Sequence, residues 1–306
     1  MTDRSVLVLF LDGVGLGDHD AETNPFMHVD LPTLQSLLEV SHLTRNAAGT
    51  VTKQAALLGL DACLGVPGLP QSGTGQTTIL TGHNAPAALG EHDGPYPNKL
   101  LRQMLAEDSI FKMLLDADQS AAYANAYPTR FIDRLNRGKG RLSANTQAAY
   151  LAGLKIRSGE DLRRRRAISA LFSNKYWPEP DIKLPSVDSR EAGRNFARLG
   201  QEHALTFLEF WYSDMLGHKQ KREESIEMLS MLDDFIAGIL DEMDLNRSLL
   251  LLVSDHGNFE DWTTSKHTTN PALTMLVGAG FEKLVPQLNS LQDVKPTLLS
   301  FFDKKF

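Results

Sequence analysis

Six residues in this 306-residue chain have the types and neighbours that chemistry needs: Asp12, Asp214 with His218 four residues on, the pair Asp255-His256, and His267 within Lys266-His-Thr-Thr-Asn-Pro271. Each aspartate stands just beyond a short apolar run. Three carboxylates converging in one crevice repel one another unless a cation neutralises them. The interleaved histidines make that cation a metal, because neutral imidazole and carboxylate together suit zinc or manganese. One Asp after a strand is ordinarily a turn or a helix cap, so the joint placement carries the meaning. A second constellation is Pro70-Gln-Ser-Gly-Thr-Gly-Gln-Thr-Thr-Ile-Leu-Thr-Gly82, where small and hydroxyl residues run into Ile79 and Leu80. It reads as a tight loop entering a helix, which points backbone N–H groups and the positive dipole end at whatever sits on Ser72 or Thr74. Such a site suits an anion and offers a hydroxyl nucleophile at either residue. No Lys precedes the Ser/Thr, so it is not a Walker-type phosphate loop; standing alone it would be a Ser/Thr-rich helix cap.

These residues need a scaffold. Ser5–Leu11, Ala204–Tyr212 and Ser248–Val253 are short continuous apolar runs, the pattern of strands buried on both faces. Between the last two, Ile226, Leu229, Leu232, Ile236, Ile239 and Met243 recur at helical spacing. The C-terminal third therefore reads as a strand, helix, strand crossover of a parallel sheet. Leu31–Val40 and Pro296–Phe302 are expected covering helices, and Thr274–Val277 a further strand. Ligands of open α/β sheets sit beyond the carboxyl ends of the strands, where the Asp and His residues stand.

From about Tyr96 to Asn195 the apolar runs shorten, with helical patterns at Lys99–Leu105, Asn145–Leu154 and Asp161–Phe172. Turn signals flank the stretch, Gly94-Pro95-Tyr96-Pro97 on one side and Pro178, Pro180 and Pro185 on the other. The expectation is a discontinuous α/β catalytic core over 1–95 and 196–306, with a mostly parallel central sheet covered by helices, and a smaller inserted cap domain over 96–195. There is no internal repeat or low-complexity segment.

The formal charge is −7, from 31 Lys+Arg and 38 Asp+Glu. An acidic balance argues against a general nucleic-acid binder, which needs a basic excess to replace phosphate counterions. Divided by region, residues 96–195 carry +7 and the remainder −14, an acidic core facing a basic insertion, as an enzyme for anionic substrates requires. Arg130 and Arg134, with Arg137, Lys139 and Arg141, are candidates for gripping a substrate, and Thr74 for touching it. Arg163–Arg166 on a helix points in all directions and reads as a solvated face. Gly13-Val-Gly-Leu-Gly17 lacks the third glycine of a dinucleotide loop, and Asp12, Asp18 and Asp20 would repel a pyrophosphate. Cys63, the single cysteine, excludes an internal disulfide framework and an all-cysteine metal site. Val6–Leu11 is too short for a signal-peptide core or a membrane span, so a cytoplasmic protein without membrane contact is expected.

In chain order, Asp12-Gly-Val-Gly, the Ser72 segment, Asp214-x-x-x-His218, Asp255-His256-Gly257-Asn258 and His267 resemble the motif set of the alkaline phosphatase superfamily. The most similar branch is the metalloenzyme group containing cofactor-independent phosphoglycerate mutase and phosphopentomutase. In that group Gly lies three residues after the nucleophile, and many superfamily members have a small residue and Gly nine and ten residues on. Counted from Ser72 these are Gly75, Thr81 and Gly82, which favours Ser72 over Thr74 as the nucleophile. The resemblance implies two divalent metals, zinc or manganese with magnesium as a third option. One would be held by Asp12, Ser72, Asp255 and His256, the other by Asp214, His218 and His267. Two departures bear on the phospho-donor: Gln76 stands where the mutases commonly have His, and the acid that follows the nucleophile in phosphoglycerate mutase is missing. The sulfatase maturation signal Cys/Ser-x-Pro-x-Arg is also missing.

The resulting expectation is metal-dependent phosphoryl transfer through a phosphoserine at Ser72 on a small anionic phosphorylated substrate. Hydrolysis of a phosphate ester leads, because the insertion looks shorter than that of phosphoglycerate mutase. The alternatives are an intramolecular phosphomutase of the phosphoglycerate or phosphosugar type and a non-catalytic metal-binding relative. Nothing in the sequence indicates the oligomeric state.

Overall fold

The computed structural model describes residues 4–302. Its strands are β1 (Ser5–Leu11), β2 (Thr50–Val51), β3 (Ala55–Leu60), β4 (Ala121–Tyr123), β5 (Ala126–Tyr127), β6 (Arg157–Ser158), β7 (Leu205–Phe210), β8 (Ser248–Ser254) and β9 (Ala272–Gly278). Seven form one sheet in the order β2-β3-β9-β8-β1-β7-β4, and β5 pairs with β6 apart from it. The run β8-β1-β7-β4 is parallel; β9 is antiparallel to both β8 and β3, and β2 to β3. The sheet is thus α/β and mostly parallel in its core, as expected. β7 and β8 do not lie side by side, however. β1 runs between them, with Val8 opposite Phe207 on one side and Leu251 on the other, and the 21-residue helix Arg222–Glu242 spans the gap.

The apolar runs are continuous because both faces of the sheet are covered. Leu7, Leu9 and Leu11 join one buried cluster with Phe196, Leu232 and Ile236, from the helices Ser189–Gly200 and Arg222–Glu242. Val6, Val8 and Phe10 join the other, with Ile79 and Leu80 of the helix Ser72–Thr81 and Leu298 of Val294–Phe301.

The middle of the chain is not detached from this core at its start. The helices Lys99–Asp108 and Ile110–Asp116 bury Leu105, Phe111 and Leu114 in the second cluster, and β4 adds the seventh strand, Ala121 opposite Leu205. The remainder holds β5, β6 and short helices, among them Thr129–Asn136 and Ala144–Leu151.

The pattern read as a helix over Asp161–Phe172 yields only Gly159–Arg163, and Arg165 and Phe172 adopt φ of 57° and 51°. Its apolar residues are drawn to separate partners. Ile168 donates its N–H to the Ala124 carbonyl at 2.8 Å and its carbonyl accepts from the Ala126 N–H at 2.9 Å, while the Phe172 ring stacks on Phe210 and Phe235 at 4.4 and 4.0 Å. The four arginines form a solvated ion-pair face: Arg163 and Arg164 on Glu160, Arg165 on Glu191, Arg166 on Glu202.

Candidate functional site

Ser72 is the first residue of the helix Ser72–Thr81, which is buried along its whole length although five of its ten residues bear hydroxyls or an amide besides Ser72. Burial is tolerated because Thr77, Thr78 and Thr81 donate to the carbonyls of Gly73, Thr74 and Thr77 at 2.7–2.9 Å. The helix also approaches the loop after β8 without a spacer. A Cβ on Gly75 would lie 2.9 Å from the Asp255 carbonyl oxygen and 3.0 Å from its Cβ, so glycine there brings Ser72 over the strand ends. Thr74 does not take part. It is fully buried, its hydroxyl donating to the Gln71 carbonyl at 3.1 Å and accepting from the Asp93 N–H at 3.3 Å.

Beyond β1 and β8, Asp12, Asp255 and His256 form an inner cluster with Ser72. The Ser72 Oγ lies 3.0 Å from His256 Nε2, which is 3.4 Å from Asp12 Oδ1 and 3.6 Å from Asp255 Oδ2. Gly13, at φ 67°, turns the chain tightly enough for its N–H to reach Asp255 Oδ1 at 3.2 Å. Burial pushes both carboxyls well above their usual range; Asp255 adds repulsion at Asp12, and Asp214 at Asp255. His256 is raised despite burial by its contact with Asp12.

Beyond β7, Asp214 and His218 share a face of the helix Tyr212–Lys219, their four-residue spacing bringing His218 Nε2 to 3.3 Å from Asp214 Oδ2. His267 completes the outer cluster, its Nε2 3.6 Å from Asp214 Oδ1 and 3.2 Å from His218 Nε2. Burial works against ionisation of Asp214, but His218, the charge of His256 and the Asn258 amide outweigh it and hold the carboxyl at about 2. The Asp214 hydrogen bond raises His218 to about 9. Burial, then the charge of His256, lowers His267 to about 4.

The donors fit divalent cations on two grounds. Asp12 Oδ1 and Asp255 Oδ2 are buried without a hydrogen-bond partner, an expensive state that a coordinated ion relieves. In the outer cluster the Nδ1 atoms of His218 and His267 face the Ser265 and Pro70 carbonyls at 2.7 and 2.6 Å and must carry their protons there. The two Nε2 lone pairs then point at each other across 3.2 Å, which only a proton or a cation between them stabilises. Candidate ligand atoms lie within 4.8 Å of one another in two sets, Asp214-His218-His267 and Asp12-Asp214-His256. Asp214, expected in one set, stands in both.

Three further residues support the site, and each lacks a spacing signal. Gln76 Nε2 reaches Asp12 Oδ2 at 3.4 Å while its Oε1 accepts the Ala144 N–H at 3.1 Å, tying an inner donor to the start of the helix Ala144–Leu151. Glu260 accepts from the N–H groups of Gly15 and Asn258, both at 2.8 Å, and from Thr268 and the Asn270 amide; it laces together the three loops that present the ligands. Glu209, inside an apolar strand, accepts from Tyr123, Ser143, Thr146 and Asn145, and burial raises its carboxyl.

A cleft of about 330 Å³ opens above Ser72, Asp12 and Asp214. Arg130 and Arg134 are exposed on the helix Thr129–Asn136 and do not line it; Arg141 does. On that helix Leu135 is buried and Phe131 half-buried, whereas the two arginines face outward.

Residues 182–305 match the model of the Metalloenzyme superfamily. A 2,3-bisphosphoglycerate-independent phosphoglycerate mutase of Thermosynechococcus vestitus is 30% identical over 119 residues, covering 34% of this chain and 22% of that protein. The aligned segment is thus under a quarter of the mutase's length. Among solved structures, a protein from Pyrococcus horikoshii superposes with a TM-score of 0.60 at 14% identity, over 100% of this chain and 99% of the other. The alkaline phosphatase of the Antarctic bacterium TAB5 superposes with a TM-score of 0.53 at 12% identity, over 100% and 99%. Among the described residues no helix is long and apolar enough to cross a membrane. The motif set, the family match over residues 182–305 and the shared sheet agree: the chain is similar to the Metalloenzyme superfamily over that segment and to cofactor-independent phosphoglycerate mutase within it, and it shares the fold of alkaline phosphatase.

Proposed function

We propose that the protein transfers a phosphoryl group from a phosphate ester to Ser72 and then to water, using two divalent metal ions. The observation that carries this reading is the Ser72 hydroxyl at a helix N-terminus, 3.0 Å from His256 Nε2 and beside both donor clusters. Asp12, Ser72, Asp255 and His256 would hold one ion, and Asp214, His218 and His267 the other, with Asp214 near enough to serve both. Bound, the ions would lower the serine pKa and neutralise phosphoryl oxygens.

The chain's own groups supply the rest. Ser72 attacks phosphorus as the ester oxygen leaves, and the positive end of its helix favours the charge on the transferring group. Gln76 holds Asp12 in place, and the Nδ1 hydrogen bonds of His218 and His267 fix which nitrogen each presents. Water completes the turnover by displacing Ser72 from phosphorus. Hydrolysis is favoured because the cleft rim is open to solvent: Tyr96 and Trp211 are each 43% exposed. The division into catalytic core and cap goes forward with the cap beginning after β4, and Cys63, reduced and unpaired, suits the cytoplasm. The mutase reading draws on the name of the Thermosynechococcus relative and differs only in the acceptor.

The test is metal analysis together with turnover on a panel of phosphomonoesters and phosphodiesters. Two bound ions and phosphate release that disappears in Ser72→Ala support the proposal. Isomerised product without phosphate release makes the protein a mutase. Bound metal with no turnover on any ester makes it a binder, and activity lost in Thr74→Ala but kept in Ser72→Ala moves the nucleophile.

A further inference from the structure

The ligand clusters at the floor of the cleft do not explain its walls. The core contributes Tyr96 and Trp211, and the inserted segment contributes Tyr127 and Phe131, whose rings stack at 4.3 Å with 15° between planes. Among the described residues Arg141 is the one Lys or Arg lining the cleft, and its guanidinium already lies 5.8 Å from the Tyr96 ring centroid. Glu209 also borders the cleft, but its oxygens are taken up by Tyr123, Ser143, Thr146 and Asn145. What faces the ligand there is a hydroxyl-bearing rim.

A phosphate ester has one orientation in such a cleft, phosphoryl end down toward Ser72. Its other end then meets four aromatic rings and one guanidinium. A second anionic group, carboxylate or phosphate, is gripped by converging bidentate cations, and a single arginine engaged on a ring is a poor substitute. A flat aromatic group finds stacking partners and a cation that prefers π faces. We infer that the substrate is a phosphate ester whose far end carries a flat aromatic ring, a nucleotide or an aryl phosphate, held by Tyr96, Phe131 and Trp211. This rests on the proposed role of the Ser72 floor as the phosphoryl site, and it sets the protein apart from enzymes of phosphoglycerate.

The experiment has a turnover arm and a binding arm. The metal-loaded protein is assayed on adenosine monophosphate, phenyl phosphate, 3-phosphoglycerate and glycerol 3-phosphate. The metal-loaded Ser72→Ala protein is titrated calorimetrically with the same four compounds. The aromatic esters are expected to lead by about tenfold or more in kcat/KM and in affinity, the size of one good stacking contact. Phe131→Leu and Trp211→Leu, which keep apolar bulk but remove the ring, should each lower that preference several-fold; Tyr96→Leu replaces either one if its melting temperature falls. Comparing adenosine monophosphate with phenyl phosphate separates a nucleobase from a plain ring. Three-carbon phosphates bound as tightly as the aromatic esters, or a preference that survives the substitutions, overturn the inference. Aromatic ligands preferred in the binding arm without turnover of any ester leave it standing while the catalytic role of Ser72 falls.

Discussion

The two donor clusters are chemically related but solve their electrostatics differently. In the inner one, Asp12, Asp255 and His256 are buried, two carboxylate oxygens have no partner, and both carboxyls are pushed up in pKa. The outer one is open enough to leave 44% of the His218 side chain exposed, and its ionised Asp214 is compensated by His218. The inner cluster carries an unsolved charge problem that invites a cation, whereas the outer one already holds an internal ion pair. The contrast teaches that a cation adds most where the fold has left donors unsatisfied, and that loading the outer cluster means displacing a proton from His218.

The largest expected effect tests whether the clusters act on one nucleophile. Ser72→Ala should lower kcat by about 10³-fold or more, the scale of losing a covalent nucleophile. Because Ser72 is one donor among several, metal stoichiometry should fall little. Equal loss of turnover and of both metals would mean that Ser72 acts as a structural ligand.

Next come substitutions that separate the clusters. Asp255→Asn should weaken metal at the inner cluster by about 100-fold, at the upper end of what even outer-shell changes produce, and leave the outer equivalent bound. His218→Ala should do the reverse, while Asp214→Asn, which removes the donor common to both sets, should weaken both. Equilibrium dialysis followed by elemental analysis reads all three. If Asp255→Asn and His218→Ala each remove both metals, the two clusters form one cooperative site and the comparison collapses.

A smaller effect concerns the link between the inner cluster and the inserted segment. Gln76→Leu strands the buried Ala144 N–H and releases Asp12, at a cost of about 1–3 kcal/mol for the unpaired group. The melting temperature should fall, with inner metal affinity falling further than outer. Equal weakening at both clusters would show that Gln76 supports the fold without favouring either.

Much of this arrangement is legible in the sequence because it depends on local order. β1, β7 and β8 announce themselves as uninterrupted apolar runs, and chain continuity alone puts Asp12, Asp214 and Asp255 at or just past their carboxyl ends. What the sequence hides is set by distant partners. β1 enters between β7 and β8 through pairings more than 190 residues away in the chain. Glu209 looks like a lone acid in a strand until Tyr123, Ser143 and Thr146 gather on it, and Gln76 looks like a helix-surface amide until Ala144 arrives. The basic stretch misled in a different way: charge density near a cleft does not say which side chains face it, so Arg130 and Arg134 point to water while Arg141 lines the wall.

The smallest effect sharpens the comparison through pH, in metal-free protein. His218 holds its proton to about 9 when folded but only to about 6.5 when unfolded. Between those values the folded state binds the extra proton, so the contribution to stability is complete below about 6.5 and is lost as pH rises through 9. His267 has the opposite sign: lowered to about 4, it favours the folded state above about 6.5, and that contribution is lost as pH falls through its folded value. His218 should therefore give a melting temperature that declines from pH 7 to pH 9.5, by a modest amount because it is half exposed and screened; His256 of the inner cluster, also raised, adds a decline of the same sign. Replacing His218 with Gln should flatten the alkaline decline, and saturating metal should do the same by taking the proton's place. Asp12 and Asp255 are raised as well, so their contribution to stability also falls as pH climbs past the unfolded value near 4, and the part of the decline that His218→Gln removes is what belongs to the outer cluster. A decline unchanged in His218→Gln would place the alkaline titration in the inner cluster, on His256 or its carboxyls, and the electrostatic distinction between the clusters would be lost.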